Sequence, residues 1–197
     1  EEKRYSISSP TKDFLKNLDD VVTVRVYLTG NLPAGMKELE KSIESTLNEF
    51  KAYAGKQLEY EFVDLNQYDQ KVQEEEGKIL MSKGLDPISL TVVEGGEQTQ
   101  RVMFPGAIVS YKGRMVSTNL LENKVGYDQY QILNNSMVLV EYKLANAIQK
   151  LQQTHPPVIA FSNGHGEVSQ DQLGEVIKDL QTEQFAVSTI NVGVGYT

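Results

Sequence analysis

The sequence predicts an α/β fold, in which strands and helices alternate along the chain. Residues 21–28 and 58–65 are predicted strands, because apolar residues occupy every second position from Val22 to Leu28 and from Leu58 to Phe62, the pattern of a strand with one buried face. Between these two segments, apolar residues recur at helical intervals of three or four, at Leu39, Ile43, Leu47 and Phe50. A helix that connects two strands favours parallel pairing, so we expect a βαβ unit here.

The elements on either side of this unit follow from caps, glycines and periodicity. Ser9 followed by Pro10 predicts the start of a short helix over residues 10–18. The other predicted elements are a polar helix over 70–83, a hairpin with strands 88–93 and 99–104 around Gly95-Gly96, a second hairpin with strands 107–111 and 114–117, and a long helix over 128–153.

The order βαβ followed by ββα is that of thioredoxin-like domains with a mixed sheet. After the first strand, where redox thioredoxins carry two cysteines, this chain has Thr29-Gly30-Asn31-Leu32-Pro33. The chain contains no cysteine, which excludes a dithiol redox centre, a disulfide, a zinc–thiolate site and a cysteine nucleophile. We therefore expect a thioredoxin-like domain without redox cysteines.

Two adjacent prolines predict the boundary between two domains, of residues 1–154 and 155–197. The second domain begins with a strand over 158–161, a loop over 162–166, a helix over 169–181 and a strand over 185–192. One βαβ unit cannot cover both faces of its sheet. Either this domain continues beyond residue 197, or the unit packs onto the first domain.

The composition and the absence of certain motifs argue against several classes of function. The chain has 197 residues, 19 Lys+Arg against 27 Asp+Glu and a net charge of −8. Such a balance argues against a sequence-independent nucleic-acid binder, which needs clustered Lys and Arg. The sequence contains no P-loop motif, no GxSxG nucleophile elbow and no apolar run of the ~20 residues that a membrane-spanning helix needs. We expect no catalytic residues, no metal and no cofactor, and hence no enzyme.

The most site-like feature is the loop that follows the strand over 158–161. Glycines there let backbone N–H groups approach a ligand, and the N-terminus of the next helix favours an anion or a polar oxygen. The ligand-binding residues predicted from this loop are Asn163, Gly164, His165, Gly166 and Glu167. In the alternative interpretation, the glycines form a tight turn and His165 is merely exposed.

Tyrosine is frequent in this chain, which has ten tyrosines and no tryptophan. Tyrosine suits binding surfaces because it joins a rigid apolar body to a polar tip. Six tyrosines allow two interpretations. They line a sugar- or protein-binding surface, or they occupy half-buried positions in strands and helices. The six are Tyr53, Tyr60, Tyr111, Tyr127, Tyr130 and Tyr142.

Several short phrases, in order, resemble one family. They are Arg4-Tyr5-Ser6-Ile7-Ser8, the run from Val24 to Pro33 (VRVYLTGNLP), the run from Glu59 to Leu65 (EYEFVDL) and the run from Ala160 to Glu167 (AFSNGHGE). The family is the gliding-motility-associated, GldG-type auxiliary component of ABC transporters, and the resemblance covers essentially the whole chain.

The resemblance implies a membrane-anchored subunit at the cell inner membrane, whose anchors lie outside this chain and whose large central region is extracytoplasmic, that is, periplasmic. It implies an ABC permease and an ATPase as partners, and it identifies the region from about Pro157 as the start of a Rossmann-like domain. We therefore expect a non-catalytic binding subunit of a transporter. The alternative is a glycan- or small-molecule-binding module that uses the Gly164-His165-Gly166 loop.

Overall fold

A computed structural model of the chain describes residues 7–94, 97–123, 126–153, 157–163, 168, 170–182 and 185–192. The chain forms two compact units, Glu1–Gln152 and Gln153–Thr197. The helices are α1 Ser9–Lys16, α2 Ala34–Ala54, α3 Gln70–Ser82, α4 Gln129–Gln152 and α5 Gly174–Thr182. The strands are β1 Val22–Val26, β2 Leu58–Phe62, β3 Ile88–Glu94, β4 Glu97–Met103, β5 Gly106–Tyr111, β6 Arg114–Asn119, β7 Val158–Asn163 and β8 Ala186–Asn191.

The first unit is built on a four-stranded mixed sheet in the order β2-β1-β5-β6. Strands β1 and β2 are parallel, with Val24 opposite Tyr60, while β5 runs antiparallel to β1 and to β6. This confirms the predicted α/β class and its thioredoxin-like arrangement, a βαβ unit joined to a ββα unit. The hairpin of β3 and β4 is an insertion that forms its own two-stranded sheet.

Alternation along the strands gives the sheet a core on each face. In β1, Val22, Val24 and Val26 are fully buried in the main core together with the predicted stripe of α2. The other face carries a smaller core that involves α3, formed by Tyr27, Leu80, Leu85, Phe104 and Ile108. The main face is closed by α1, α2 and α4, so the sheet lies between helices on both sides.

The start of α1 differs by one residue from the prediction. The N-cap is Ser8 and not Ser9, because it is the Ser8 hydroxyl that accepts a hydrogen bond from the backbone N–H of Thr11. An N-cap oxygen bonds the N–H two or three positions further on, and the helix begins with Ser9 and Pro10 behind that cap.

The second unit pairs β7 with β8 in parallel, and α5 packs against β8. Two boundaries differ from the prediction by more than one residue. Ser162 and Asn163 belong to β7 and not to a loop, because their backbones continue the ladder with Ile190 and Asn191. The helix predicted over 169–181 begins as a 3-10 turn, Gln170–Leu173, and becomes α-helical only at Gly174.

A carboxylate joins the beginning of α1 to α4. Glu141 Oε1 accepts hydrogen bonds from the backbone N–H of Ser8 at 2.8 Å and from the hydroxyl of Thr11 at 2.7 Å. Burial by itself would raise the pKa of Glu141, but these hydrogen bonds to the charged form outweigh it, and the pKa is lowered from 4.5.

Glu141 therefore adds stability that depends on pH. Because its pKa is lower in the folded chain than in the unfolded chain, this stability is complete above about pH 4.5 and is lost as the pH falls through the folded pKa. We expect Glu141→Gln to lower the urea midpoint at pH 7, by an amount that becomes smaller as the pH falls below 4.5. Glu44→Gln, which changes an exposed carboxylate on α2, is the matched control. A difference in urea midpoint between Glu141→Gln and the parent chain that does not depend on pH contradicts this role of Glu141.

Candidate functional site

Only the first residue of the predicted ligand loop can be placed. Asn163 ends β7, where it lies opposite Asn191, and its carbonyl accepts a hydrogen bond from the backbone N–H of Val192 at 2.9 Å. The other predicted site residues, Gly164, His165, Gly166 and Glu167, lie outside the described residues, so the ligand site there stays a prediction.

The loop that would carry the cysteines of a redox thioredoxin is closely packed. Gly30 has a φ of 101°, and a Cβ at this position would lie 2.6 Å from Oδ2 of Asp64. Asp64 in turn accepts hydrogen bonds from the backbone N–H and the side-chain amide of Asn66, at 2.9 and 3.0 Å. Glycine is therefore required for this turn to lie against the segment that follows β2.

A groove of about 320 Å³ lies between the outward face of β1 and β2 and the helix α3. Its walls combine two tyrosine rings, three aliphatic side chains and three charged groups. They are Arg25, Tyr27, Glu61, Val63, Leu65, Tyr68, Val72 and Glu76. The volume lies near the lower end of the range for small-molecule sites, about 300–1,000 Å³.

Two of the three charged groups of the groove form an ion pair. Arg25 Nε donates to Glu61 Oε1 at 2.6 Å, between residues that face each other across β1 and β2. Both side chains are more than half exposed, so the pair adds little to stability and both groups can reach a ligand.

The two tyrosines differ in their surroundings. Burial raises the pKa of Tyr27, whose ring belongs to the smaller core, and Tyr68 is half exposed at the rim. Aliphatic side chains, tyrosine rings and a few polar groups are features of a binding site for small polar molecules such as sugars.

The six tyrosines singled out from the sequence do not form one surface. Tyr53 packs against the main core beneath Lys12, Tyr60 donates to Asn48 at 2.6 Å, and the buried Tyr111 donates to Asp19. The other three are exposed, namely Tyr127, Tyr130 and Tyr142. For the first three, the structure supports the interpretation as buried or half-buried positions in strands and helices, because the elements that carry them turn the rings toward the core.

The sequence interpretation missed the groove because Tyr27 and Tyr68 come from segments 41 residues apart. The signal present in the sequence was the alternation that turns Arg25 and Tyr27 away from the valines of β1.

Among the described residues, no three His, Asp or Glu side chains lie together as a metal ion would need. No helix in the same part of the chain has both the length and the apolar character to cross a membrane.

Comparison with protein-family models identifies a family for the first part of the chain. Residues 1–110 match a family described as a domain of unknown function, DUF7088, and this span runs from the N-terminus to within one residue of the end of β5. No curated protein and no solved structure matches the chain. Since the match covers 110 of 197 residues, more than half, the chain belongs to the DUF7088 family.

Proposed function

We propose that this chain is the non-catalytic, extracytoplasmic part of a membrane-anchored auxiliary subunit of an ABC-type transporter, of the gliding-motility-associated kind. It acts by binding, and its partners are the permease and the ATPase of the transporter. The anchoring segments belong to parts of the protein outside this chain, at the inner membrane.

The observation that carries the non-catalytic role is the loop between β1 and α2. The first unit has the strand order of a thioredoxin-like domain, yet this loop holds Thr29-Gly30-Asn31-Leu32-Pro33 and is packed against Asp64. A fold used for redox chemistry is thus retained without the chemistry, which favours a role in recognition. The partners come from the resemblance of the sequence phrases to GldG-type proteins.

The proposed location can be tested by cysteine labelling, because this chain has no cysteine of its own. Ser45 is exposed on α2 and Leu47 is fully buried two residues later. In the membrane-anchored protein, a membrane-impermeant maleimide is expected to label Ser45→Cys in intact spheroplasts and to leave Leu47→Cys unlabelled. Labelling of Ser45→Cys only after lysis contradicts an extracytoplasmic location.

The groove favours a second candidate function, a module that binds a glycan or another small molecule. This candidate is compatible with a transporter subunit that presents a substrate, but it makes a separate prediction. The residues to test are Arg25 and Tyr68, whose side chains are exposed in the groove.

We expect neutral or acidic mono- and disaccharides to shift the amide resonances of Tyr27, Glu61 and Tyr68 in ¹H–¹⁵N spectra. Removal of a stacking ring or of the cation is expected to weaken such binding about fivefold or more, since ~1–3 kcal/mol is typical of one good contact. Tyr68→Ala and Arg25→Ala are therefore compared with Tyr142→Ala, which removes an exposed ring outside the groove. Sugar-induced shifts that persist in both Tyr68→Ala and Arg25→Ala contradict a binding site in the groove. So does the absence of shifts in the parent chain at the highest soluble sugar concentrations.

A further inference from the structure

A buried polar group, the hydroxyl of Tyr27, belongs to the wall of the groove. Tyr27 is 8% exposed, and its ring is part of the smaller core. Its backbone N–H donates to the carbonyl of Gly106 at 2.9 Å, but its hydroxyl makes no hydrogen bond with any of the described residues. Burial of a hydroxyl without a hydrogen bond costs free energy, and nearly all buried polar groups have a partner. The Tyr27 oxygen is therefore a position at which a polar group of a ligand gains a hydrogen bond.

The hydroxyl of Tyr27 lies close to the charged groups of the groove. Burial is the main cause of the raised pKa of Tyr27, and the positive charge of Arg25 acts against it. The carboxylates of Glu76 and Glu61 raise this pKa further. These three charged residues come from β1, α3 and β2, and all of them line the groove, so the hydroxyl faces the groove.

The charges in the groove leave one carboxylate unbalanced. Arg25 and Glu61 pair with each other at 2.6 Å. Glu76, the third charged residue, is partly buried on α3, and its carboxylate has neither an ion pair nor a hydrogen bond within the described part of the chain. With one arginine and two glutamates, the groove carries a net charge of −1. It therefore attracts a cationic group of a ligand.

We propose that the groove selects sugars that carry a protonated amine, and that the ammonium group binds between the Tyr27 hydroxyl and the Glu76 carboxylate. An ammonium group has three N–H donors and no acceptor, and both of these oxygens can accept a hydrogen bond. The half-exposed ring of Tyr68 remains available to the sugar ring. This selectivity rests on the second candidate function, a sugar site in the groove, and narrows the class of sugar.

The amine adds affinity and is not required for binding. A sugar with a hydroxyl or an acetamido group in place of the amine can still contact Arg25 and Tyr68, but it leaves the charge of Glu76 unbalanced. Hydrogen bonds in which one partner is charged are roughly twice as strong as those between neutral groups. Sugars of one shape are therefore expected to differ in affinity according to whether they carry the amine.

Titrations with three matched sugars test this selectivity. D-glucosamine, D-glucose and N-acetyl-D-glucosamine differ at one carbon, and only glucosamine carries a positive charge at mildly acidic pH. Dissociation constants are taken from the shifts of the Tyr27 and Glu76 amide resonances in ¹H–¹⁵N spectra of the 197-residue chain. We expect glucosamine to bind about tenfold more tightly than the other two sugars.

Substitution of the two carboxylates at positions 75 and 76 tests which group binds the amine. Glu76→Gln removes the charge and keeps the size of the side chain, so we expect it to reduce the preference for glucosamine over glucose to less than about twofold. Glu75→Gln removes an exposed charge from the same helix and is expected to keep the preference. It controls for the general attraction of a cation to a chain of charge −8.

Tyr27→Phe removes the hydroxyl alone and separates binding from folding. We expect it to lower the affinity for glucosamine about threefold or more, because the ammonium group loses one acceptor. We also expect a urea midpoint no lower than that of the parent chain, because the hydroxyl forms no hydrogen bond in the described structure. A lower midpoint with unchanged affinity contradicts the assignment of this hydroxyl to a ligand.

The outcomes of the titrations separate this selectivity from the sugar site itself. Equal affinities for the three sugars overturn the selectivity and leave the sugar site in place. If none of the three sugars binds, the sugar site is wrong and the selectivity fails with it. A preference for glucosamine that Glu76→Gln leaves unchanged also overturns the proposal, because the amine then binds elsewhere.

Discussion

Phe50→Ala is expected to destabilise the first unit by about 3–5 kcal/mol, the range for large aromatic residues removed from a core. Phe50 is completely buried on α2, at the end of the stripe that packs the helix against the sheet. The substitution removes a ring from the main core and leaves a cavity that the flanking strand and helix can fill only in part. Urea unfolding followed by far-UV circular dichroism measures the loss as a lower midpoint.

Tyr130→Ala is the matched control for this change, because it removes an aromatic ring from a helix position that is 75% exposed. We expect it to change the free energy of unfolding by no more than about 0.5 kcal/mol. Losses of equal size for Phe50→Ala and Tyr130→Ala would show that α2 does not pack on the sheet as described.

Lys143→Met is expected to cost the second largest amount. Lys143 pairs with Glu122, and only 16% and 19% of the two side chains are exposed. The ammonium group also donates to the carbonyl of Asn119 at 2.5 Å, so one side chain holds the segment after β6 against α4. Removing one member of a fully buried pair costs about 3–5 kcal/mol, and we expect about 2–3 kcal/mol for this less buried pair.

A double variant separates the stability lost through the unpaired charge from the stability lost through packing. In Lys143→Met with Glu122→Gln, no carboxylate is left beside an apolar side chain, so we expect recovery of about half of the loss. The pair Arg25 and Glu61 on the exposed sheet face provides the comparison, since Arg25→Met is expected to cost less than about 1 kcal/mol. Equal costs for Lys143→Met and Arg25→Met would mean that burial plays no part in the Glu122–Lys143 interaction.

The fold of the first unit could be predicted from the sequence because the patterns that indicate its strands and helices are local. The valines of β1 alternate with Arg25 and Tyr27, the stripe of α2 repeats every three or four residues, and each hairpin has a turn between two alternating segments. Pairing followed from connectivity, since the 21-residue helix α2 between β1 and β2 is a crossover. The ends of helices and strands were harder to predict, because they depend on single hydrogen bonds. The N-cap at Ser8 is an example.

The groove could not be predicted from the sequence in the same way. The groove exists because the register of β1 and β2 places Arg25 opposite Glu61 and because the chain after β2 returns Tyr68 to the same side. Neither the strand register nor the path of the chain after β2 is indicated by a local sequence pattern.

Purification of the full-length protein from native membranes, with a tag encoded at its chromosomal locus, tests the proposed role most directly. Mass spectrometry of the bound proteins is compared with that for an unrelated membrane-anchored protein carrying the same tag. We expect an ABC permease and an ABC ATPase to be recovered in near-stoichiometric amounts. Recovery of neither component above the control, from membranes in which both are present, would contradict the assignment to a transporter.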